Sequence, residues 1–124
     1  SYYLLDGEER TTAFYTEMEA LTPTCAITNT PSEYFISCLE DTILTISNAD
    51  MTEEVNGKFP KFDIMCRMFS AEMLAKQRID FDEFKTSSPE QRYLNLLNKR
   101  ADLFQRVPQH QLASYLGITP QSLS

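Results

Sequence analysis

The sequence predicts an α+β protein: a strand-rich N-terminal body, one long amphipathic helix, and a helix-turn-helix toward the C-terminal end. Three observations carry this. Short runs of β-branched and aromatic residues alternate with turn residues over positions 1–47. Apolar residues then switch to three- and four-residue spacing from Phe62 to Met73. Last, Leu112-Ala113, Leu116-Gly117-Ile118 and Thr119-Pro120 stand at the offsets of two short helices joined by a sharp turn.

Tyr2 to Leu5 is an apolar run that predicts a strand, and Asp6-Gly7 is a strong hairpin signal. The chain is expected to return as a strand through Arg10-Thr11-Thr12-Ala13-Phe14-Tyr15. Thr24 to Thr28 is a further short run, followed by the turn Asn29-Thr30-Pro31-Ser32. Tyr34 to Cys38 and Thr42 to Ile46 predict two more strands, separated by Glu40-Asp41. Closely spaced strands of this kind predict a small barrel or sandwich.

The period then changes. Asp50 is a suitable cap for a short helix ending at Gly57, and Pro60 can open the next one. On that helix Phe62, Met65, Cys66, Phe69 and Met73 form one apolar stripe, while Ile64, Met68, Ala71 and Ala75 form a second. One stripe would dock the helix on its own chain, so the second predicts a partner helix across a dimer axis. Ser88, Pro89 and Gln91 have the spacing of a capping box, and the helix they open is expected to run through Tyr93, Leu96, Ala101 and Phe104.

In the C-terminal segment Leu112, Ala113 and Leu116 form the inward side of one helix, and the small Ala113 permits a close crossing. Gly117 supplies the left-handed conformation that ends it. Thr119 caps the second helix, Pro120 opens it and Leu123 points inward. Gln121, Ser122 and Ser124 are then left facing outward, with side chains short enough to enter a groove.

Taken as a whole, the net charge of −7 argues against a polyanion partner, but its distribution does not. Residues 1–84 carry six basic and sixteen acidic side chains, a net of −10; residues 85–124 carry five basic and two acidic, a net of +3. Two domains are expected accordingly: residues 1–84, including the long helix at about 60–83, and residues 85–124. Cys25, Cys38 and Cys66 match no zinc or iron–sulfur spacing, so neither metal nor cofactor is expected and the thiols are expected reduced, as in the cytoplasm. No apolar run is long enough for a membrane span. The single histidine, His110, has no nearby nucleophile, so no enzyme activity is expected. The competing expectation is a protein-interaction or ligand-sensing module without DNA binding.

Residues 89–124, above all Arg92-Tyr93 and Leu112-Ala113-Ser114-Tyr115-Leu116-Gly117-Ile118-Thr119, resemble the winged helix-turn-helix of the Crp/Fnr family of bacterial transcription regulators. Upstream, Leu5 to Phe14, Pro31-Ser32 and Cys38-Leu39-Glu40-Asp41 are similar to that family's cyclic-nucleotide-binding-like β-roll, and the two-stripe helix resembles its dimerisation helix. The resemblance implies a partial β-roll, a long dimerisation helix and a C-terminal helix-turn-helix. It implies a cytoplasmic homodimer that binds double-stranded DNA at an inverted repeat, with RNA polymerase as a further partner. It also implies a fragment, with β-roll strands expected before Tyr2 and an Arg, the rest of the recognition helix and a wing expected after Ser124. The DNA-binding surface would comprise Gln109, His110, Thr119, Pro120, Gln121, Ser122 and Ser124, with Gln109 and Thr119 on phosphate and Gln121 reading a base. In nucleotide-binding members an Arg followed by Ser or Thr clamps the cyclic phosphate and a Glu holds the ribose. Glu17 stands at the ribose position, but Pro31, followed by Ser32, stands at the Arg position. Proline has neither charge nor donor, so a degenerate pocket without affinity for cyclic AMP is expected, and the effector is unknown.

Overall fold

A computed structural model describes residues 1–123; Ser124, expected on the DNA-facing helix, lies outside the described residues. In chain order the described elements are β1 (Tyr2–Leu5), β2 (Glu8–Thr11), α1 (Thr24–Thr28), α2 (Ala49–Lys58), α3 (Pro60–Thr86), α4 (Pro89–Lys99), α5 (Leu103–Arg106), α6 (Gln109–Leu116) and α7 (Pro120–Leu123). The architecture mixes these helices with one two-stranded sheet, compatible with the α+β class, but among the described residues positions 1–47 do not close into the expected barrel or sandwich. The chain divides into two compact units, Ser1–Asp41 with Ser88–Ser124, and Thr42–Ser87. Among the described residues no helix is long and apolar enough to cross a membrane.

In the first unit β1 and β2 pair antiparallel, with Leu5 opposite Glu8 and Tyr2 opposite Thr11. Asp6 and Gly7 both take positive φ, 53° and 81°, as a two-residue hairpin loop matching strand twist demands. The return strand stops at Thr11, short of the expected Tyr15. The strand expected over Tyr34–Cys38 contributes a single bridge, from Phe35 to Tyr2, reinforced by stacking of their rings at 5.5 Å. Thr24–Thr28 is helical where a strand was expected. Local bonds override β propensity there: the Thr28 hydroxyl donates to the Thr24 carbonyl, and Asn29 ends the helix in the left-handed region at φ 54°.

The core of this unit lies in its C-terminal segment. Leu96, Leu103, Leu112, Ala113 and Leu116 are buried, and Phe14, Tyr93, Phe104, Val107, Tyr115, Ile118 and Leu123 pack around the leucines. Ser88 caps α4 by accepting from the Gln91 amide at 3.2 Å, with Pro89 in the first turn, as expected. The helix expected to continue through Phe104 is instead broken. The Leu103 and Phe104 amides donate to the Arg100 and Ala101 carbonyls, making a tight turn before α5.

In the second unit Asn48, not the expected Asp50, caps α2: its side-chain oxygen accepts from the Met51 amide at 2.9 Å. Asp50 sits in the first turn, where its charge suits the positive end of the helix. The helix passes Gly57 and ends at Lys58, and Pro60 then opens α3 as expected. At 27 residues α3 is about 40 Å long and extends to Thr86. Neither of its apolar lines is fully buried: Met65 and Phe69 on one, Ile64 and Met68 on the other, are exposed. Thr42–Ile46, expected as a strand, has no regular structure, and Ile43 is fully exposed. The described elements of its unit are both helices, so they offer it no sheet edge to pair with.

Candidate nucleic-acid interface

The helix-turn-helix is built by its caps. α6 ends at Gly117, whose φ of 69° and ψ of 34° would strain any residue with a Cβ. The Ile118 amide reaches back to the Ala113 carbonyl at 3.0 Å, the long-range bond of a Schellman turn. Arg92 donates to the Leu116 carbonyl at 3.3 Å, so a cation sits on the negative end of α6. Thr119 then caps α7: its hydroxyl oxygen accepts from the Ser122 amide at 3.3 Å and lies 2.8 Å from the Ser122 hydroxyl. Ala113 is wholly buried, as a close crossing of two helices requires.

The other side of α6 is held by the hairpin. The Thr11 amide donates to the Ser114 hydroxyl at 2.9 Å, and that hydroxyl faces the Glu9 carbonyl at 3.3 Å. Phe14 meets Tyr115 edge-on at 5.2 Å, and Tyr93 meets Phe104 in the same way at 5.3 Å. The residues expected to face DNA stay outside these contacts: Gln109, His110, Thr119, Pro120, Gln121 and Ser122 are all exposed. A cleft of about 260 Å³ lies beside them, lined by Tyr93, Phe104, Val107, Gln109, Leu112 and Leu123.

The flanking cations are engaged within the unit. Arg106 is gripped by Glu17, whose two oxygens accept from Nη2 at 2.7 Å and Nη1 at 3.1 Å, and by Glu40, which accepts from Nε at 2.6 Å. Asp102 stands 3.9 Å away. Arg100 donates to the Thr16 hydroxyl at 3.2 Å and lies 3.9 Å from Glu19 and 3.7 Å from Asp102. The Arg106 hydrogen bonds pull the Glu17 carboxyl down to about 2, and the two glutamates push the Arg106 pKa up.

The residues expected to line a nucleotide pocket have other partners. Glu17 is committed to Arg106. Ser32 donates to the Tyr34 carbonyl at 2.8 Å and accepts from its amide at 3.3 Å, so it fastens the bend at Glu33-Tyr34 ahead of the Phe35 bridge, while the turn itself falls at Asn29 and not at Pro31-Ser32. Among the described residues no group of three or more His, Cys, Asp or Glu could hold a metal ion, and Cys25, Cys38 and Cys66 are free thiols.

Sequence reasoning missed Ser114 as the hairpin's anchor and Glu17, Glu19 and Glu40 as partners of the arginines. Nothing local marks these contacts, which join residues 66 to 105 positions apart. Comparison of the chain with protein-family models, curated proteins and solved structures finds no match.

Proposed function

We propose that the chain is a sequence-specific DNA-binding transcription regulator of the Crp/Fnr type, with a degenerate effector pocket that does not take cyclic AMP. The observation that carries this reading is the capped turn from Gly117 to Pro120, with Gln109, Thr119, Gln121 and Ser122 all left exposed around it. A buried helical hairpin has no need to end one helix and begin the next within three residues while holding polar side chains in solvent. In this reading the N-terminal end of α7 enters the major groove. Gln121 reads adenine through its amide, while Gln109 and Thr119 position the protein on phosphate. The two exposed apolar lines of α3 support a homodimer reading an inverted repeat, with half-sites about 34 Å apart. In this reading the N-terminal segment, with its hairpin and the Phe35 bridge, is the counterpart of part of the Crp/Fnr β-roll.

The test is binding of wild type and Gln121→Ala to a selected operator and to scrambled duplex across a salt series. Gln121→Ala is expected to cost about 1–3 kcal/mol on the operator and little on scrambled DNA. Equal losses on both DNAs would remove Gln121 from base reading. No binding at low salt would leave an interaction or sensing module in place of a DNA binder.

A further inference from the structure

We propose that the acidic side chains of the N-terminal segment act as a built-in competitor for DNA phosphate, occupying Arg106 and Arg100 until a polyanion displaces them. This deepens the DNA-binding reading and rests on it. Arg106 ends α5, two residues before Pro108 caps α6, so its charge belongs to the flank of the helix-turn-helix. All three nitrogens of its guanidinium donate to carboxylates, Nη1 and Nη2 to Glu17 and Nε to Glu40. This is the bidentate geometry a phosphate would otherwise take. Two carboxylates against one guanidinium leave the spot with a net negative charge, which repels a phosphate rather than drawing it in.

Arg100, at the end of α4, is treated similarly by the same stretch of chain. It donates to Thr16, and Glu19 stands beside it with its carboxylate steadied by the Thr16 amide at 2.7 Å. Both arginines are thus met from the single segment Thr16–Glu19, with Glu40 added from farther along.

The contacts suit a reversible block. The Glu17 and Glu40 side chains are 73% and 52% exposed, so water can reach both carboxylates as the guanidinium leaves. A duplex presenting many phosphates, with release of its counterions, outcompetes two solvated carboxylates.

The experiment compares wild type with Glu17→Gln/Glu40→Gln in binding random-sequence duplex across a salt series. The charge-matched control is Asp6→Asn/Glu33→Gln, which leaves the arginines' partners in place. The Glu17→Gln/Glu40→Gln chain is expected to bind about threefold to tenfold tighter at low salt, because Arg106 reaches phosphate without first giving up two carboxylates. The control should gain less than half of that. Overlapping curves for wild type and Glu17→Gln/Glu40→Gln, or an equal gain in the control, would overturn the competitor. Absence of binding by every chain at low salt would instead overturn the DNA-binding reading, and the competitor with it. A measurement on the wild type alone guards against misfolding of the variant. The carboxylate carbon resonances of Glu17 and Glu40 should move as duplex is added, and a chain saturated with DNA whose resonances stay put would count against the proposal.

Discussion

A carboxylate that accepts two hydrogen bonds from a guanidinium gives up its charge only to strong acid. Glu17 is in that position, and Arg106 holds its carboxyl near 2, against an ordinary value of 4.5. Since the folded value lies below the unfolded one, the pair's contribution to stability is complete above about 4.5. It is lost as the pH falls from there toward 2. The groups that face Arg106 are Glu17, Glu40 and Asp102, and each adds negative charge that keeps the arginine ionised. Carboxyl titration followed by NMR should therefore place the Glu17 midpoint near 2 in the folded chain, and Arg106→Gln should return it toward 4.5. A wild-type midpoint already at 4.5 would mean that the pair does not persist in solution. Single residues were unevenly legible in the sequence. Thr119, Pro120 and Gly117 disclosed their roles because a cap acts on amides three or four positions away. Glu17 disclosed nothing of Arg106, because 89 positions separate them.

At the scale of elements, the caps decide what could be foreseen. The hairpin at Asp6-Gly7, the start of α4 at Ser88-Pro89 and the turn between α6 and α7 each carry a residue whose backbone preference matches the observed conformation. Thr24–Thr28 and Thr42–Ile46 both carry β-branched residues, but the first is turned into a helix by its own local bonds and the second, with no sheet edge in its unit, stays irregular. β propensity is a preference for a neighbouring strand, so it fails where none is offered. The break at Arg100 has no Gly or Pro to announce it, and the apolar spacing runs through it uninterrupted. The turn between α6 and α7 gives the sharpest test. Gly117→Ala should lower the stability of its unit by about 1–2 kcal/mol, because a Cβ opposes the left-handed conformation. Gly117→Asn should cost less, since Asn tolerates that region. Urea unfolding with a probe in the helix-turn-helix measures both, and equal losses for Ala and Asn would show that backbone conformation is not what Gly117 supplies.

For the whole molecule, α3 poses the largest question, because a helix of 27 residues without a single buried side chain is poorly supported by its own unit. A second copy laid along Ile64, Met65, Met68 and Phe69 would remove that surface from water. Sedimentation at micromolar concentration should accordingly show a dimer, and Met65→Glu/Phe69→Glu should shift it to monomer with its helical content retained. Monomer alone in the wild type would end the dimer reading. The charge asymmetry read from the sequence also changes meaning once the contacts are known, since part of the basic surplus of residues 85–124 is spent on acids from residues 1–41. The Ser114 contact has a temporal consequence. The hairpin's clip to α6 spans more than a hundred residues of chain, so it cannot form on the ribosome until Ser114 has emerged. The helices of Thr42–Ser87 contact one another locally and can assemble first, leaving the two-stranded hairpin, marginal by itself, waiting through most of synthesis. A nascent chain arrested with Ser114 still inside the ribosome should therefore be cut readily by protease within residues 1–15, and the released, folded chain should resist.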